Sequence, residues 1–241
     1  MMVEPLVAID KGGNVAPMLA TAWTNTADGL IYTFTLRTGV KFSDGTDFNA
    51  KAVKFTIDRL LAPDTFKSQK GVLGVIKQTD VVDDTHVKFS LKNPFAAFVP
   101  AMTQSVADII SPASVTVAPN TQQQVQQPVG TGPYKFSERQ AGDHVTRVRN
   151  PNYWGTKPIA KTLIFKWSDT SAQRLQELQS GAADGIDNVG TDDYATVKSD
   201  STLALINRDA FTILYLGFNV NDPPWDNEKV RQAIAVGIDR N

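Results

Sequence analysis

Apolar and polar positions alternate strictly through residues 31–37, with Tyr32, Phe34 and Leu36 on one side and Thr33, Thr35 and Arg37 on the other. A period of two predicts a half-buried β-strand. The same alternation runs from His86 to Leu91, and again over 161–167, where Leu163, Phe165 and Trp167 share a side. Residues 211–218 are almost wholly apolar, which predicts a strand buried on both faces.

Between these segments the period lengthens to that of a helix. Val53, Ile57, Leu60 and Leu61 form one apolar stripe behind Asn49, a residue suited to cap the first turn, and Pro63 stops the run. Thr170 and Gln173 have the spacing of a capping box ahead of Leu175 and Leu178, and Gly181 suits the C-terminal cap. Thr191, Asp192 and Asp193 offer a cap and two acids to the N-terminus of another helix. Asp226 precedes a last helix carrying Val230, Ala233, Ile234 and Ile238 on one face. Alone in water a helix of about a dozen residues is marginal, so this face is expected to need a partner surface.

The turns and connectors divide the chain. Asp28–Gly29 and Asp44–Gly45 are turn dipeptides on either side of the 31–37 strand. Residues 119–128 hold five glutamines and two prolines and form the most polar connector, where a subdomain boundary is expected. The fold class is α/β.

At 241 residues the chain can bury a sizeable core. Its net charge of −1 gives no basic excess for nucleic acid. The absence of cysteine removes thiolate metal sites, disulfides and cysteine nucleophiles together. No run of about 18 apolar residues is present to span a membrane. The opening residues, from Met1 to Leu6, lack the basic, apolar and small-residue succession of a signal peptide, so none is expected within the chain.

Enzymatic chemistry finds little to work with. The two histidines, His86 and His144, are far apart, and each follows a turn at the start of a strand. A serine triad needs a base histidine held by a carboxylate. Asp83 and Asp84 precede His86 but read as a hairpin turn, and no histidine spacing supports zinc. No catalytic residue, metal ligand or cofactor site is assigned. The glycines of Gly130, Thr131, Gly132 and Pro133 read as a structural turn feeding a strand at 134–136, since no helix follows to complete a phosphate cradle. Tyr153 and Trp154 read as packing residues, and Trp23 and Trp167 as core.

Four segments in order carry a resemblance. They are Pro17 to Trp23 with the following Asp28 to Arg37 and Gly39 to Gly45; Val129 to Phe136; Arg149 to Trp154; and Val230 to Ile234, closing with Ile238, Asp239 and Arg240. Together they resemble the family 5 extracytoplasmic solute-binding proteins of ABC importers, which bind oligopeptides, dipeptides or nickel. The resemblance covers nearly the whole chain. Departures are Ala52, where the family usually carries an acid, and length: family members are about twice as long, with a signal sequence, an N-terminal strand-loop and a large second lobe.

The resemblance implies the periplasmic-binding-protein-like two-lobed fold of class II, and with the polar break at 119–128 it implies a first-lobe subdomain of residues 1–11 and 128–212 around a mixed sheet, a subdomain inserted at 12–127, and a hinge strand opening the second lobe at 213–241. It implies a peptide or related small solute held between lobes, an ABC permease with its ATPase subunits as partner, and a periplasmic or extracytoplasmic location. Membrane contact would come only through the permease or a lipid anchor. The implied ligand-lining residues are Asp187 and Asn188, in the loop after the helix ending at Gly181, and Phe211, Thr212 and Tyr215 on the strand leading to the hinge. Asp187 would meet a ligand cation, Asn188 can donate and accept, and Tyr215 offers an amphipathic wall. A sensor or chaperone on the same fold, or a hydrolase, are the alternatives.

Overall fold

The structure, a computed structural model, describes residues 2–63, 71–117, 123–125, 127–206 and 215–239. In order, these hold strands β1 (Val7–Ile9), β2 (Val15–Pro17), β3 (Ala20–Asn25) and β4 (Ile31–Leu36), helix α1 (Ala50–Leu61), strands β5 (Ile76–Asp83) and β6 (His86–Leu91), and the short helix α2 (Phe98–Ala101). Then come β7 (Thr116–Val117), β8 (Gln123–Gln124), β9 (Tyr134–Gln140), β10 (His144–Arg149), β11 (Thr162–Lys166), α3 (Ser171–Gln179), α4 (Tyr194–Ser199) and α5 (Glu228–Gly237). The chain falls into two compact units, Met1–Trp167 and Ser168–Asn241.

The first unit is built on an antiparallel sheet of order β3-β4-β6-β5. The predicted alternation holds: Tyr32, Phe34 and Leu36 of β4 and Val87, Phe89 and Leu91 of β6 are buried. The register places Tyr32 opposite Phe89 and Phe34 opposite Val87, so one face is a continuous apolar surface. Phe98 from α2 closes over it, with ring centroids 4.7 Å from Tyr32 and 5.7 Å from Phe89. Against the sheet lies α1, burying Val53, Ile57 and Leu60. Its cap is the expected one, for the Asn49 side chain accepts hydrogen bonds from the backbone N–H groups of Lys51 (3.1 Å) and Ala52 (3.2 Å). Ala52 itself is buried.

A second antiparallel sheet has the order β11-β10-β9. The strands at 31–36 and 162–166 therefore belong to different sheets. Within the polar connector Gln123–Gln124 forms a short antiparallel pair with Thr116–Val117.

Three expectations are corrected. Trp167 is 46% exposed and Phe165 40%, so the alternation of β11 is a correct strand signal but not a core face. Trp23 is half-buried, resting against Phe34 at 6.1 Å. Of the strand expected at 211–218, residues 211–214 lie outside the described residues, and at 215–218, which join no strand among the described residues, Tyr215 and Leu216 are exposed where burial on both faces is expected. Without a neighbour to satisfy its backbone an apolar run has no ladder to join.

The second unit carries the remaining helices. Gly181 follows α3 with φ of 76°, the left-handed conformation expected of a C-terminal glycine. Thr170 occupies the N-cap of α3 without a side-chain bond, and the Gln173 carbonyl instead accepts from the Ser168 hydroxyl at 2.9 Å. The N-cap of α4 is Asp193, not Thr191, and that of α5 is Asn227, whose side chain accepts from the Lys229 N–H at 3.0 Å. No residue of α5 is buried.

Candidate functional site

Asp187 and Asn188 lie together in the loop between α3 and α4, both exposed. The loop is fixed from the first turns of α3. The Arg174 guanidinium donates through Nη1 to the Ser168 carbonyl and through Nη2 to the Asn188 carbonyl, both at 2.8 Å. The Ser171 hydroxyl accepts from the Gly190 N–H at 2.8 Å and donates to the Asp193 carboxylate at 2.5 Å. This second bond explains why Asp193 does not cap its own helix: its carboxylate is engaged across the loop. Gly190 is required sterically, because a Cβ there would stand 2.6 Å from the Ser171 oxygen.

Within this frame Asn188 has φ of 56°, the one positive φ of a non-glycine residue among the described residues. Asparagine tolerates the left-handed region better than most side chains. Asp187, an exposed residue, uses one carboxylate oxygen to accept from the Asn188 N–H at 3.0 Å. The result is an exposed carboxylate beside an exposed amide on a backbone held at two points. Such a surface can take a cation and a hydrogen-bonding group side by side.

Tyr215 is 82% exposed, and no hydrogen bond or ring contact joins it to Asp187 or Asn188 among the described residues. Phe211 and Thr212 lie outside the described residues.

One buried carboxylate, that of Glu4, is marked by no pattern in the sequence. Glu4 is 3% exposed and accepts from three side chains: the Thr131 hydroxyl at 2.7 Å, the Tyr153 hydroxyl at 3.1 Å and the Trp154 indole N–H at 2.9 Å. Its backbone bridges to Ile109. Around it the two loop motifs interlock. A Cβ on Gly130 would overlap the Met2 carbonyl and Val3, and the Gly132 N–H donates to Met2 at 3.0 Å. Asn150, fully buried, donates from its amide to the Gly132 carbonyl at 2.8 Å. Burial, Glu4 and the Glu4 hydrogen bond together push the Tyr153 hydroxyl up to about 12. The Arg37 guanidinium sits 4.4 Å over the Trp154 ring. Both motifs are thus structural, as their turn and packing reading predicts.

The histidines have partners that the sequence reading did not foresee. His86 Nδ1 is 2.9 Å from Asp83, and His144 Nδ1 is 2.8 Å from Asp143 with Nε2 3.6 Å from Glu138. The Asp143 hydrogen bond raises the His144 imidazole above its ordinary value. No cluster of three or more histidine and acidic side chains able to hold a metal occurs among the described residues. Elsewhere in the first unit a cavity of about 470 Å³ is lined by Val3, Thr56, Arg59, Leu60, Asp108 and Ile110. Burial there, with the Glu4 carboxylate adding to it, pushes the Asp108 carboxyl up to about 6.

Residues 14–241 match the family model described as bacterial extracellular solute-binding proteins, family 5 middle. The glutathione-binding protein GsiB of Pectobacterium atrosepticum is 34% identical over 239 residues, 99% of this chain and 46% of that protein. Among solved structures, the dipeptide-binding protein of Pseudoalteromonas sp. SM9913 in complex with Met-Leu is similar with a TM-score of 0.84 at 27% identity, over 99% of this chain and 51% of that one. NikZ of Campylobacter jejuni in complex with Ni(L-His) is similar with a TM-score of 0.78 at 28% identity, over 99% and 48%. The chain spans about half the length of each.

Proposed function

The chain belongs to family 5 of the bacterial extracellular solute-binding proteins and has the α/β architecture of the first of their two lobes; from that premise we propose that it captures a small peptide for an ABC importer. The solute is held between two lobes and handed to a membrane permease driven by ATPase subunits. This takes place outside the cytoplasmic membrane, and no helix among the described residues is long and apolar enough to cross one. The observation that carries the reading is the joint likeness, over nearly the whole chain, to a glutathione-binding and a dipeptide-binding protein. Both of those ligands are short peptides with a free amino group.

In this reading the first lobe comprises residues 1–11 and 128–212 with 12–127 inserted, and 213–241 leads into the second lobe. The separation of the two sheets supports it. The ligand-facing residues are Asp187, Asn188, Phe211, Thr212 and Tyr215. Asp187 takes the ligand's ammonium group, Asn188 its amide groups, and Tyr215 packs beside it. The role is binding, without covalent chemistry or a cofactor.

Isothermal titration of the full-length protein with reduced glutathione and with Met-Leu tests the proposal. Micromolar or tighter binding of one of them is expected. Asp187→Asn should weaken it about tenfold. His86→Ala and His144→Ala should leave it unchanged. Residues 1–241 alone should bind about a thousandfold more weakly, since half a cleft loses several hydrogen bonds of about 1 kcal/mol each. Binding of neither peptide would overturn the peptide assignment.

A further inference from the structure

The Asp187–Asn188 loop carries little apolar contact of its own, yet its backbone is held at residues 188 and 190 from one short helix. The central group is Arg174. Its two terminal nitrogens reach carbonyls 20 residues apart in sequence, those of Ser168 and Asn188. A planar fork does this with its nitrogens in fixed directions, whereas a lysine ammonium is a point charge on a flexible stem. No carboxylate forms an ion pair with Arg174 among the described residues, and its Nε is buried without a hydrogen-bond partner. An orphaned buried donor costs stability. The charge of Arg174 is therefore directed at two neutral carbonyls, one of them that of the residue held at φ of 56°.

We propose that Arg174 is a positioning residue of the ligand site, fixing the Asn188 carbonyl so that the Asp187 carboxylate and the Asn188 amide face the ammonium and amide groups of a peptide before it arrives. The proposal rests on the reading of that loop given under Proposed function. Ordering a loop in advance removes an entropic cost from binding. Ser171 supports the same geometry through Gly190 and Asp193, while Arg174 bonds the carbonyl of the residue in the left-handed conformation.

The test pairs a measurement that needs no ligand with one that does, in the full-length protein. Hydrogen exchange across residues 184–190 is followed in wild type, Arg174→Met and Arg174→Lys, and each is titrated with reduced glutathione and Met-Leu. Arg174→Met should speed exchange in the loop about tenfold and weaken peptide binding about ten- to hundredfold, the scale of a lost charge-assisted hydrogen bond. Arg174→Lys, able to reach one carbonyl, should fall between the two. If Arg174→Met does not fold, as judged by circular dichroism, the lysine variant carries the test by the same criterion. Unchanged exchange overturns the proposal. So does faster exchange with affinity within twofold of wild type, which would leave Arg174 a purely structural clamp. Failure of the wild type itself to bind either peptide would sink the functional reading, and the ligand-directed role of Arg174 with it; that outcome is distinguished by appearing before any variant is made.

Discussion

The two units of this chain solve the problem of holding a backbone in different ways. In the first, β4, β6, α1 and α2 enclose a contiguous core of Phe34, Phe42, Phe89, Phe98, Leu6 and their neighbours. In the second, only Leu175 and Val197 are buried among the described apolar side chains, while Ile206, Tyr215 and Val236 are more than 80% exposed. There the loop geometry comes from polar fixtures, Ser171 and Arg174, instead of apolar enclosure. Apolar burial is non-directional and makes a unit cohere. Hydrogen bonds to named carbonyls fix one conformation with little cohesion.

The contrast is most exposed to test in the first unit's aromatic cluster. Phe98→Ala should cost about 3–5 kcal/mol in denaturant unfolding, the usual penalty for a buried aromatic truncated in a packed core. A cost below about 1 kcal/mol would mean that the cluster is not the unit's centre. Next comes Glu4→Gln. The amide cannot offer acceptors to all three donors, so the loss should be about 2–3 kcal/mol, and near-UV circular dichroism should report a change at Trp154.

Asp108→Asn sharpens the comparison from the other side, because the wild-type residue is a cost within the first unit. A carboxyl whose folded value, about 6, exceeds its ordinary 3.8 binds its proton more tightly in the folded state. Stability then falls as pH rises from about 4 through 6. The variant should be more stable than wild type by about 1–2 kcal/mol at pH 8, allowing for partial solvent screening, and equal to it at pH 4. A gain that is the same at both pH values would remove the electrostatic explanation. The smallest effect belongs to the second unit: Ile234→Ala, on the unburied face of α5, should change stability by less than about 0.5 kcal/mol.

What the sequence revealed follows the same division. The alternation of β4 and β6, the stripe and cap of α1, and the glycine after α3 are local signals, and each is realised locally. The strand signal at 161–167 is also local and correct, but whether Trp167 is covered depends on what lies over it, which periodicity does not encode. The same limit applies to Tyr215 and Leu216, whose exposure the apolar run at 211–218 does not encode. Glu4 was invisible for another reason: it follows no pattern, and its donors come from two motifs more than 120 residues away. The Asp187–Asn188 loop was legible as a turn and, through family resemblance, as a candidate site. The clamp that holds it was not, since Arg174 reads on its own as one more polar residue of α3.

The separation between Glu4 and its donors also sets an order of events. Thr131, Tyr153 and Trp154 follow Glu4 by 127, 149 and 150 residues. At about 5–20 residues per second, Glu4 is synthesised roughly 8 to 30 seconds before the last of them exists. Through that interval the first residues of the chain must remain in water, because the side chains that satisfy this carboxylate have not been made. The aromatic core assembled from residues 31–98 can collapse earlier. Closure of the N-terminal segment onto Gly130 and Asn150 is therefore a late step by construction.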